Sequence, residues 1–166
     1  SVDGIYSNVY GTKYFMHATN GDSAKLRLQL ASEPDKLDPA LNSSVDGACL
    51  AALGFSGLYT YDSTGSLVPA LAEGYEMSED GLTYTFTLKD DLKWSDGSDL
   101  TAKDFEYSWK RLVNPETASP YAFIGDCLKN GQAIEQGKMD VEELGVKAVD
   151  DTTLEVTLEH PTSYFL

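Results

Sequence analysis

Six residues, Thr83-Tyr84-Thr85-Phe86-Thr87-Leu88, constrain the fold more than any other stretch of the chain. Their strict alternation puts Tyr84, Phe86 and Leu88 on one face and three threonines on the other, which is the period of a half-buried strand. A strand that is wet on one side belongs to an antiparallel sheet, because parallel sheets are covered on both faces. The same alternation recurs in Lys25-Leu26-Arg27-Leu28-Gln29-Leu30 and in Leu154-Glu155-Val156-Thr157-Leu158. The latter pairs, across the turn Asp150-Asp151, with Val146-Lys147-Ala148-Val149 as a hairpin. A second hairpin is expected where Asp62-Ser63-Thr64-Gly65 separates residues 58–61 from Leu67 and Val68. Further turns fall at Glu79-Asp80-Gly81 and Trp94-Ser95-Asp96-Gly97, and residues 5–19 read as two extended pieces about Gly11.

Helices are fewer. Thr101-Ala102-Lys103-Asp104 opens one in the manner of a capping box, with Asp in place of the usual Glu, and Phe105, Trp109 and Leu112 give it an apolar stripe. It ends before Asn114-Pro115. Another runs over residues 45–53, capped by Ser43 or Ser44 and carrying Ala48, Ala51 and Ala52, after an irregular segment bracketed by Pro34 and Pro39. A third is predicted over residues 120–134. Tyr164-Phe165-Leu166 reads as the first turn of a helix cut short, so the chain is expected to be a truncated one. Strands and helices mix without βαβ alternation, which predicts an α+β fold: a mixed, largely antiparallel sheet with flanking helices.

Composition narrows the function. With 27 acidic against 12 basic residues the formal charge is −15, so a phosphate backbone meets repulsion and nucleic acid is excluded as a partner. Aromatic residues make up 11% of the chain, enough apolar area for a core, and no apolar run reaches membrane-spanning length. Cys49 and Cys127 are too few for a zinc site; two thiols and one disulfide are both open, and a bridge would close a long loop worth about 4 kcal/mol. His17 and His160 are the imidazoles, and neither accompanies a recognisable nucleophile. Asp96-Gly97-Ser98-Asp99 resembles part of a calcium loop but lacks the closing Glu, and phosphate-cradling glycine loops are missing. The residues therefore carry no enzyme signature and imply no cofactor. Trp94 and Trp109 lie in patterns that bury them. Tyr121, after Ala118-Ser119-Pro120 at the mouth of a helix, is placed either to pack in the core or to present its ring to a cleft.

Long stretches carry a family resemblance. Residues 69–97, PALAEGYEMSEDGLTYTFTLKDDLKWSDG, and 100–123, LTAKDFEYSWKRLVNPETASPYAF, closely resemble the oligopeptide- and dipeptide-binding proteins of bacterial ABC importers. The likeness extends to LDPA at 37–40, FSGLY at 55–59, and LGVKAVDDTTLEVTLEHPTSYFL at 144–166. Ser56 departs from it, standing where the family carries an acidic residue.

The resemblance implies part of a periplasmic-binding-protein type II fold, an extracytoplasmic location in which a Cys49–Cys127 bridge would persist, a lipid-anchored parent, and no catalysis. Family members are several times longer and close two lobes on an extended peptide, and this chain is expected to supply only one. Residues 46–166 correspond to the smaller amino-terminal domain and 25–45 to the first strand and a cleft segment. Residues 1–20 instead resemble the strand that ends the full-length chain, with 21–24 as linker, which is the order a circularly permuted, engineered fragment would show, the alternative being a natural variant with an unusual leader; natural chain ends often lie close together. Tyr121 in the ASPY motif matches a cleft-lining tyrosine. Ser43, Ser44 and Val45 match a segment whose backbone runs beside the peptide, and binding by main-chain hydrogen bonds tolerates many side chains. The implied partners are short peptides and, for the full-length parent, an ABC permease. A lone lobe is expected to bind weakly, and the surface left by the missing lobe to favour self-association. The alternative is a folding unit with no ligand activity.

Overall fold

The computed structural model describes strands 3–7, 13–17 and 25–27 by their backbone and residues 30–166 in full. The chain divides into two compact units, residues 1–54 and 55–166.

In the first unit β1 (Asp3–Ser7), β2 (Lys13–His17) and β3 (Lys25–Arg27) form an antiparallel sheet in that order. Met16 sits opposite Leu26 in the β2–β3 register. The strand expected over residues 25–30 is thus shorter, with Leu30 outside it and residues 28–29 beyond those described. Helix α1 (Val45–Gly54) follows, and Ser44 caps it, its Oγ accepting the Gly47 N–H at 3.1 Å.

The second unit opens with the hairpin β4 (Tyr59–Tyr61) and β5 (Leu67–Pro69). Asp62 closes it by accepting the N–H groups of Thr64 and Ser66 at 2.8 and 3.0 Å while Gly65 takes φ +82°. The main sheet is four-stranded and antiparallel, in the order β6 (Ala72–Met77), β7 (Thr83–Leu88), β9 (Thr153–Thr157), β8 (Val146–Ala148). Tyr84, Phe86 and Leu88 of β7 and Leu154 and Val156 of β9 are buried, as the alternation requires. Strand β6 had no counterpart in the sequence reading. A register shift between Ala72 and Gly74 breaks its alternation, so AEGYEM carries no clean period.

Helix α2 (Ala102–Val113) packs on β8 and β9. The Asp104 carboxylate accepts the Thr101 N–H at 2.7 Å, the reciprocal half of a capping box. Its buried stripe is Ala102, Phe105, Trp109 and Val113 rather than one ending at Leu112. Lys110 bridges Glu106 and Glu142, both at 2.7 Å, and the second Glu106 oxygen accepts the Ala148 N–H at 2.7 Å. Burial opposes both charges, yet these bonds hold the Glu106 carboxyl below its usual range and Lys110 above its own.

The single helix expected over residues 120–134 is not formed. The chain makes a 3-10 segment, Ala122–Cys127, then an extended bridge from Leu128 to Leu158, then the short helix α3 (Gly131–Glu135). Asn130 at φ +67° breaks the path between them. Gly131 lies against Gly125: a Cβ there would meet the Gly125 carbonyl oxygen at 2.0 Å, and one on Gly125 would meet Val113 Cγ1 at 2.3 Å. The backbones approach too closely for a continuous helix. Residues 162–165 form a single turn, the Phe165 N–H donating to the Thr162 carbonyl at 3.3 Å, and the Phe165 ring packs tilted on Tyr84 at the core with ring centroids 5.0 Å apart. Trp109 joins this core, whereas Trp94, expected there as well, is half-buried outside it with its edge toward the exposed ring of Phe55. Cys49 and Cys127 are unbridged in this structure, and burial pushes the Cys127 thiol up.

Candidate functional site

Tyr121 sits at the mouth of the 3-10 segment that replaces the expected helix. Asn114-Pro115 ends α2, Ala118 at φ +51° turns the chain, and the Tyr121 N–H donates to Ser119 Oγ at 3.2 Å while its carbonyl accepts the Ile124 N–H at 3.0 Å. Gly125, pinned on Val113, fixes the far end. The backbone is therefore fixed on both sides of Tyr121, and its ring is 41% exposed rather than packed in the core. Phe123 leans on it at a centroid distance of 5.6 Å and is itself 57% exposed, with Ile124 at 58%. The sequence reading missed Phe123 and Ile124. Their signal was three large apolar residues within four positions of a segment too short to bury them all.

Ser43, Ser44 and Val45 belong to the first unit, and Tyr121 to the second. The Ser44 hydroxyl donates to Asn42 Oδ1 at 3.0 Å, and the Asn42 side-chain amide returns a hydrogen bond to the Ser44 carbonyl at 3.0 Å. Ser43 and Val45 are exposed. Among the described residues, no hydrogen bond occupies the N–H or C=O of Ser43 or the N–H of Val45. A rigid segment with open donors and an open acceptor can add main-chain hydrogen bonds to an extended ligand without moving.

Elsewhere the chemistry is sparse. His160 is exposed on a turn, and the side chain of His17 in β2 lies outside the described residues. Asp96 accepts the Ser98 N–H at 2.9 Å with Gly97 at φ +88°, so that loop closes on itself as a turn. Among the described residues no group of three or more His, Cys, Asp or Glu is placed to hold a metal, and no helix is long and apolar enough to cross a membrane.

The second unit displays the exposed aromatic pair Tyr121 and Phe123, and comparison supplies the class of the chain. Residues 66–166 match the bacterial extracellular solute-binding proteins, family 5, middle region, and the chain belongs to that family. It is 52% identical over 109 residues to a dipeptide-binding protein of Lactococcus lactis, covering 66% of this chain and 20% of that one. It is 46% identical over 136 residues to the probable deoxycholate-binding periplasmic protein of Escherichia coli, covering 81% and 25%. Among solved structures it superposes on the Haemophilus influenzae oligopeptide-binding protein in complex with the peptide RPPGFSPFR with a TM-score of 0.78 and 42% identity, covering 81% of this chain and 26% of that one. The fold is accordingly part of a periplasmic-binding-protein type II fold. The chain spans about a quarter or less of the length of these relatives.

Proposed function

We propose that this chain is one part of an extracytoplasmic protein that captures short peptides for an ABC importer, without catalysis or cofactor. The likeness to a relative whose structure holds a peptide carries the reading, and the open backbone groups of Ser43 and Val45 and the exposed Tyr121 ring support it. Capture in such proteins draws on contacts from both lobes, which favour a closed form that a permease recognises. One lobe supplies only part of that differential affinity, so the chain alone binds weakly, and its uncovered Tyr121, Phe123 and Ile124 favour self-association. A two-dimensional amide spectrum recorded with short peptides tests this. Shifts confined to Tyr121 and residues 43–45, at millimolar peptide, are expected; a response to deoxycholate and none to peptides would assign the other ligand class named among its relatives.

A second reading is favoured by the antiparallel pairing of β2 with β3, the arrangement a permuted chain requires. Residues 1–20 then stand for the family's final strand, joined through 21–24, and the chain is a folding unit with no ligand activity. On that reading the amide spectrum shows no response to short peptides or to deoxycholate, and a response to either overturns it.

A further inference from the structure

The Asp46 carboxylate, in the first turn of α1, accepts three hydrogen bonds from residues that precede it by fourteen and fifteen positions. The Ala31 N–H donates at 3.2 Å, the Ser32 N–H at 3.0 Å and the Ser32 hydroxyl at 2.7 Å. Among the described residues no other side chain bonds to Ala31 or Ser32. Between these contacts, residues 33–42 form a compact loop whose ends meet at the start of the helix, the geometry of an Ω-loop. Its interior is stapled separately: the Asp38 carbonyl accepts the N–H groups of Leu41 and Asn42 at 3.0 and 2.9 Å, and Asp38 Oδ1 accepts the Ala40 N–H at 3.0 Å. Gly47 gives the loop room, since a Cβ there would meet Asn42 Oδ1 at 2.0 Å and the Lys36 carbonyl oxygen at 3.0 Å.

We propose that Asp46 is a positioning residue: by clasping Ala31 and Ser32 it closes this loop and fixes Ser43, Ser44 and Val45 in the orientation that offers their backbone to a peptide. The chemistry suits the task. An ionised carboxylate is favoured at a helix N-terminus and its bonds to N–H and O–H donors are the stronger, charge-assisted kind. The Ser32 hydroxyl, followed by the Ala31 N–H, holds the Asp46 carboxyl below the usual carboxylate range, so the clasp is shut at neutral pH. Removing it frees the loop ends without touching the Asn42 and Ser44 bonds that cap the helix.

The proposal rests on the peptide-binding reading, and one experiment separates the two. Amide spectra of the isotopically labelled chain are recorded for wild type, Asp46→Ala and Asp46→Asn, each titrated with tri-alanine. In Asp46→Ala the peaks of Ala31, Ser32 and residues 43–45 are expected to move while those of Leu154 and Val156 stay. The apparent Kd for tri-alanine is expected to rise about tenfold, and only about threefold in Asp46→Asn, which keeps one acceptor oxygen. Unmoved peaks at residues 43–45 in Asp46→Ala overturn the proposal, as does an unchanged Kd with moved peaks. If wild type shows no response to tri-alanine, the peptide reading falls, and the positions of the residue 43–45 peaks alone decide the clasp. Should Asp46→Ala fail to fold, Asp46→Asn is judged by the same criteria.

Discussion

The four-stranded sheet with α2 and the stretch from Tyr121 to Glu135 are held together by opposite means. In the sheet, order comes from large side chains: Tyr84, Phe86, Leu88, Leu154 and Val156 fill one face, and Phe105, Trp109 and Phe165 close over it. In the other stretch, order comes from side chains that are missing. Gly125 admits Val113, and Gly131 admits the Gly125 carbonyl. The first kind of region tolerates small rearrangements among its fillers, because volume can be shared between neighbours. The second tolerates almost no added atom, and it is the region that begins at Tyr121. Order in this stretch is reached through close backbone approach instead of bulk.

The contrast can be broken most forcefully at its filled end. Phe86→Ala removes the ring that meets Tyr59, Tyr75, Tyr84 and Phe165, and it is expected to lower unfolding free energy by about 3–5 kcal/mol in urea titration. At the other end, adding a single carbon is expected to do smaller but measurable harm. Gly131→Ala and Gly125→Ala should each cost about 1–3 kcal/mol, and Gly125→Ala combined with Val113→Ala should be less damaging than the two changes summed. Additive losses would mean that Val113 does not define the space at Gly125. Asp104→Ala, which uncaps α2 at the sheet side of the comparison, is expected to cost about 1 kcal/mol by the same titration.

The smallest effect is one of sign, read from urea midpoints between pH 2.5 and 7. Asp62 serves the β4–β5 hairpin and Asp80 and Asp150 the turns of the main sheet, and hydrogen bonds from Thr64, Ser78 and the Thr152 N–H respectively hold their carboxyls below the usual value. Their contribution is present above the unfolded value, about 3.9, and fades as pH falls through the depressed one. Glu135 runs the other way, raised by burial and then by neighbouring Asp126, whose Oδ1 is buried without a partner. Its contribution is greatest below about 4.3 and is lost as pH rises through the elevated value. Glu135→Gln should therefore flatten the profile on the high-pH side alone.

The same contrast explains what the amino-acid order reveals. Where side chains make the structure, their period is visible: β7, β9, the hairpin at Asp62 and the capped start of α2 all lie where alternation, turn residues and a capping box put them. Where backbone contact makes it, residues 120–134 look like one helix, because nothing local in Gly125 or Gly131 says which distant atom will occupy the empty position. Strand β6 escaped for a related reason, since its bulge at Gly74 shifts the pattern that would have marked it. Tyr121 and the serines before α1 were singled out by motif. Phe123 and Ile124 were not, nor was Asp46, whose partners lie fourteen and fifteen residues away and are set only by the path of the loop.

The bond between Glu106 and the Ala148 N–H has a further consequence. Strand β8 borders the main sheet on one side, paired with β9 alone, and the N–H of Ala148 is on the side turned away from that partner. A bare row of such donors is a template on which another chain can stack a strand, the first step toward aggregates. A carboxylate already seated there uses the donor, so that position offers no free N–H to a newcomer. Glu106 thus closes one position of this edge to strand addition.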